Sequence, residues 1–71
     1  MERYANKRGN SQIISYEIEP TRIYVMFKGY KTYSYSYGKA GVSNVEAMKR
    51  LARDGAGLSA YITNYVRFLY D

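Results

Sequence analysis

The sequence has no cysteine, no histidine and no tryptophan, and only one proline. Without cysteine there is no disulfide staple and no thiolate metal site. Without histidine the usual metal ligand, the usual neutral-pH general base and every His-dependent triad are missing. No metal and no cofactor is therefore expected. No apolar run approaches the ~20 residues that span a bilayer, so a membrane is not an expected partner. Residues 1–10 are polar and charged and lack the apolar stretch of a signal peptide, which makes the cytoplasm the expected compartment.

What is present fits one small domain. A chain of 71 residues has room for a single core, and a chain of that size buries only about 60% of its unfolded surface. Apolar residues make up 46% of the sequence, enough for a core. Eleven Lys and Arg against six Asp and Glu give a net charge of +5, a moderate bias toward polyanionic partners. The unusual component is tyrosine, with ten residues against two Phe.

Residues 1–10, with Arg3, Lys7 and Arg8, read as a flexible basic lead-in to a domain over residues 11–71. Alternation then places Ile14, Tyr16 and Ile18 on one face of a first strand. Ile23, Val25 and Phe27 share a face of a second, and Tyr33, Tyr35 and Tyr37 a face of a third. A turn at Pro20-Thr21 pairs Ile18 with Ile23, Tyr16 with Val25 and Ile14 with Phe27. A three-residue loop, Gly29-Tyr30-Lys31, pairs Phe27 with Tyr33 and keeps one continuous apolar face; a two-residue loop would put the tyrosines on the other side.

Two helices are expected to cover that face. Ser43 and Glu46 have the spacing of a capping box, with Val42 as its hydrophobic staple, at the start of a helix over residues 44–53. Gly55 supplies a left-handed C-cap. Leu58, Tyr61, Ile62, Tyr65, Val66 and Leu69 follow helical spacing through residues 58–70. The expected fold is α+β: a three-stranded antiparallel β-meander with two C-terminal helices packed on one face.

These pieces are similar to the KTSC domain, named after the extreme C-terminus of some bacterial lysyl-tRNA synthetases. The matching residues are Ser11 with Ile13 or Ile14, Tyr16-Glu17, Ile23-x-Val25-x-Phe27, Gly29, Tyr33-x-Tyr35, Val45, Leu51, Gly55 and Ile62. The likeness covers about residues 11 to 66. It implies a small β-meander with helices, found alone in bacterial and phage proteins, and an RNA-binding role. This chain departs from the family pattern where Tyr16-Glu17-Ile18 replaces Tyr-Asp-Pro. It also runs on through Phe68 and Tyr70, which points to a protein contact.

An enzymatic role is not expected. The six carboxylates form no acid–base pair, and no nucleophile–base pair or phosphate-cradling loop is present. The tyrosine row of the third strand reads as core bulk with hydroxyls at the rim, in preference to a base-stacking platform. Tyr24 and Met26 then lie on the open face. Tyr30 sits at a hairpin tip between Lys28 and Lys31, an aromatic and basic patch suited to phosphate and a stacked base, or ordinary cross-strand packing. Lys49, Arg50 and Arg53 form a second basic group, either phosphate-binding or a solvated helix face well placed for the dipole. Two functions stay open. One is binding of RNA or other single-stranded nucleic acid through Tyr24, Lys28, Tyr30, Lys31, Lys39, Lys49, Arg50 and Arg53. The other is a protein-interaction module, self-associating or a phage-type factor for a host protein, using Met26, Phe68 and Tyr70.

Overall fold

A computed structural model describes residues 1–71 as a four-stranded antiparallel sheet followed by helices. The elements are β1 (Glu2–Arg3), β2 (Ile13–Glu19), β3 (Arg22–Phe27), β4 (Lys31–Ser36), α1 (Tyr37–Ala40), α2 (Val42–Asp54) and α3 (Leu58–Tyr61). The chain continues from α3 into a π-helix, Ile62–Val66. Strand order follows chain order, β1-β2-β3-β4. Helix α2 packs on β3 and β4, and the π-helix packs on α2. Thirteen buried apolar side chains form one core, with Ile23, Val25 and Tyr35 from the sheet meeting Val45, Met48, Leu58 and Val66 from the helices.

The α+β class matches expectation, and the strand count is corrected from three to four. The lead-in is not free over its whole length. Glu2 and Arg3 pair with Tyr16 and Ser15. The Tyr4 N–H donates to the Ile14 carbonyl at 2.9 Å. The Tyr4 ring is 4% exposed, and its hydroxyl accepts from the Leu58 N–H at 3.3 Å, satisfying one orphan donor of α3. Further on, the Lys7 N–H donates to the Gly55 carbonyl at 2.7 Å. Gly55 holds φ +80°, and a Cβ there would meet the Ala5 Cβ at 2.6 Å. Its glycine thus serves both the C-cap of α2 and the close passage of the N-terminal arm.

The first hairpin keeps the expected pairs Ile18–Ile23 and Tyr16–Val25. A bulge between Ile13 and Ser15 then shifts the register, so that Ile13, not Ile14, opposes Phe27 and enters the core. In the second hairpin Phe27 pairs with Lys31, Val25 with Tyr33 and Ile23 with Tyr35, two residues from the expected register. A shift of two preserves the face, so Tyr35 is still buried and Tyr33 still packs against the core; Tyr37, expected on this strand, instead opens α1 and packs against the core from there. The loop is Lys28-Gly29-Tyr30. Gly29 (φ +89°) follows the Phe27 carbonyl, which accepts from the Tyr30 N–H at 3.0 Å.

Two helix expectations are also corrected. Helix α2 begins at Val42, and no side chain caps its N-terminus; Ser43 lies inside the first turn and Val42 is exposed. The last helix stops at Val66 instead of reaching Tyr70. Leu58, Ile62 and Val66 remain buried at intervals of four. The wider π-turns leave Tyr65 exposed, its ring 4.7 Å from that of Tyr61. The Tyr61 hydroxyl donates to Asn44 Oδ1 at 2.7 Å and ties this segment to α2.

Candidate nucleic-acid interface

Beyond Val66 the chain folds back across the outer strand. The Leu69 N–H donates to the Val66 carbonyl at 2.9 Å, turning the chain toward β4. The Tyr70 ring lies 4.8 Å from the Tyr33 ring on the inner face. The Asp71 N–H donates to the Ser34 carbonyl at 2.8 Å. Its carboxylate accepts from the Ser36 hydroxyl at 2.6 Å and the Ser34 hydroxyl at 2.9 Å. Those two hydroxyls, Ser36 foremost, hold the Asp71 carboxyl below its usual range. Residues 67–71 thus form a strap over the β4 edge, fixed at its end on the opposite face of the sheet.

Strap, sheet and π-helix enclose a groove of about 400 Å³. Phe27, Tyr33 and Tyr35 line it from the sheet, Ile62 from the π-helix, and Phe68 and Tyr70 from the strap. Phe27 and Tyr33 meet edge to face at 5.7 Å, a favoured aromatic geometry. Lys31 and Arg67 complete the lining, which contains no carboxylate. The Arg67 guanidinium carbon sits 5.2 Å from the Phe68 ring centroid, and that ring is 74% exposed. The Tyr35 hydroxyl reaches this groove from an otherwise buried ring, and burial pushes it up to about 12, with Tyr33 and Tyr70 adding to the shift.

The hairpin tip adjoins the groove through Phe27 and Lys31. Lys28, Tyr30 and Lys31 are all exposed, Tyr30 at 82%. Tyr30 holds φ +62°, a rare conformation for a bulky residue, and its ring stands in solvent at the tip. Tyr24 and Met26 lie on the opposite face of the sheet, half-buried, with the Arg22 guanidinium 5.9 Å above the Tyr24 ring. The fold therefore separates Met26 from Phe68 and Tyr70, and Tyr24 from Tyr30. Lys39 is exposed on α1, and Arg50 and Arg53 are exposed on α2. Arg53 lines a different cleft with Glu2, Tyr16 and Ile18, away from the hairpin tip.

Lys49 is corrected outright. It is 5% exposed, and its Nζ donates to the Pro20 carbonyl at 2.9 Å and pairs with the Glu46 carboxylate at 2.8 Å. It also sits 5.4 Å from the Tyr37 ring centroid. Glu46 in turn accepts from the Tyr37 hydroxyl at 2.6 Å. Bonds from Lys49 and then Tyr37 hold the Glu46 carboxyl low, and the same contact raises Tyr37. The would-be capping residue and the would-be phosphate contact are thus spent on joining α2 to the β2–β3 turn.

Arg67 is the residue that sequence reasoning missed. Its signal was a cation beside Phe68 in an otherwise apolar stretch, and its place on the groove depends on the helix ending at Val66. No group of His, Cys, Asp or Glu is positioned to hold a metal ion, and no helix is long and apolar enough to cross a membrane. Comparison with protein-family models, curated proteins and solved structures returns no match to this chain.

Proposed function

We propose that this chain is a small non-enzymatic domain of the cytoplasm that binds single-stranded nucleic acid, RNA in particular, through the groove and the adjoining hairpin tip. The observation that carries the reading is the gathering of exposed Phe68 and Tyr70 and half-buried Tyr33 with Lys31 and Arg67 in one acid-free groove. Exposed rings stack bases of any sequence, and cations neutralise phosphates at no cost in sequence tolerance. Lys28, Lys31 and Arg67 supply the charge and Tyr30 and Phe68 the stacking surface. The net charge of +5 and the likeness to the KTSC domain point the same way.

The test is a titration of a labelled single-stranded RNA at ~50 and ~200 mM salt, where three neutralised phosphates give a log–log slope of about −2. Tyr30→Ala and Phe68→Ser should each weaken binding by roughly five- to a hundredfold, the loss of one stacked base. Absence of binding by the wild type at ~50 mM salt would overturn the proposal. The exposure of Phe68 also favours a second reading, a protein-interaction module. Concentration-dependent self-association that Phe68→Ser abolishes, in a chain that ignores RNA, would establish that reading instead.

A further inference from the structure

Tyr35 carries more information than its role in the core requires. Its ring is 2% exposed, yet its hydroxyl is paired with no protein group and lines the groove. A phenol both donates and accepts, and a buried one ordinarily finds a partner. Four other buried or half-buried tyrosines of the core, Tyr4, Tyr16, Tyr37 and Tyr61, each bond through the hydroxyl; half-buried Tyr33, on the same groove, does not. Tyr35 alone is fully packed around its ring and left open at its tip, where the lining is aromatic and the two charged groups are cations. A volume of about 400 Å³ lies at the low end of small-molecule sites, which run from about 300 to 1,000 Å³.

We propose that the groove takes a single unpaired nucleotide, its base edge bonded to the Tyr35 hydroxyl and its phosphate held by Lys31 and Arg67. This rests on the nucleic-acid reading above and names its ligand. A base held this way must be out of any stack, so the domain favours single strands, loops and bulges over continuous duplex. Phosphate contacts by Lys31 and Arg67 position the nucleotide without reading it; the Tyr35 hydroxyl is the one group here that meets a base edge. Base preference is thus predicted to be modest and to depend on Tyr35.

The probes are the four nucleoside 5′-monophosphates and matched single-stranded and duplex RNA, with wild type, Tyr35→Phe and the double variant Lys31→Gln/Arg67→Gln. Wild type should bind the monophosphates saturably, with a threefold or greater spread between the best and worst base. It should prefer single strand to duplex at least tenfold. Tyr35→Phe removes only an unpaired hydroxyl, so its melting temperature should hold while the spread falls within twofold, the loss of one neutral hydrogen bond. The double variant should lower affinity for every nucleotide and leave the spread intact. Duplex binding equal to single-strand binding, or an unchanged spread in Tyr35→Phe, would overturn the inference while leaving RNA binding in place. Failure of the wild type to bind any RNA at ~50 mM salt would remove the underlying function as well.

Discussion

Replacing Lys49 by methionine separates a structural amine from a phosphate contact. Methionine keeps most of the buried stem and removes the charge. The Pro20 carbonyl then loses its donor, and the Glu46 carboxylate loses its nearest cation. Hydrogen bonds to charged groups contribute ~1.5–3 kcal/mol, and a bridge to a half-exposed partner adds at most ~1. Releasing a buried ammonium from its desolvation returns part of that, so a net loss of about 2 kcal/mol is expected. Unfolding entropy of ~2.1 cal/mol/K per residue gives roughly 150 cal/mol/K for 71 residues. The melting temperature, followed by far-UV circular dichroism, should therefore fall by about 13 °C. The salt slope of RNA binding, read at a temperature where the variant is folded, should not change. A variant that melts within ~2 °C of wild type and loses ~0.7 from the slope would refute this placement and return Lys49 to the binding surface.

Two further outcomes concern pH. Glu46 and Asp71 titrate below their unfolded values, Glu46 through Lys49 and Tyr37 and Asp71 through Ser36 and Ser34, so the stability they contribute is complete above ~4.5 and is lost as pH falls through the folded values. Acid melts should show this decline, and Asp71→Asn should flatten part of it; a wild-type melting temperature constant from pH 5 to 3 would contradict it. On the alkaline side Tyr35 stays protonated up to about 12 while its unfolded form ionises near 10, so stability falls as pH rises between those values. A 295 nm titration should show Tyr16, Tyr37 and Tyr35 all lagging behind the other tyrosines, with Tyr35 last, at about 12; that last component should vanish in Tyr35→Phe, and its survival would assign the shift elsewhere.

Much of the sheet was legible because its signals are local. Pro20-Thr21 sets a two-residue turn, and alternation on either side leaves one register that brings Ile18, Ile23, Tyr16 and Val25 onto one face. The inward face of the tyrosine strand survived a register error of two, because faces depend on parity alone. The Gly55 cap was legible from its place after the basic helix end. What escaped was non-local. Glu2–Arg3 is too short for any periodic signal, and only its pairing with β2 makes it a strand. The bulge at Ile14 depends on fitting Ile13 into a core that alternation does not describe. The stop at Val66 depends on the strap finding Ser34 and Ser36, more than thirty residues earlier.

The site divides along the same line. Lys28, Tyr30 and Lys31 were found because they are neighbours in sequence and share a tip. Phe68 and Tyr70 were recognised as exposed apolar residues and assigned to a different surface. Only the fold brings them beside Lys31, adds Arg67 and removes Lys49. A buried lysine gives no warning in a sequence, since the carbonyl that holds its amine, Pro20, lies 29 residues earlier on another part of the fold.

The most direct measurement maps a single-stranded RNA oligomer onto the ¹⁵N-labelled protein by amide chemical shifts at low salt. Perturbations concentrated at Lys31, Tyr33, Ile62, Arg67 and Phe68 are predicted. Shifts confined to Arg50 and Arg53 on α2, or to Tyr24 and Met26 on the outer sheet face, would contradict the account.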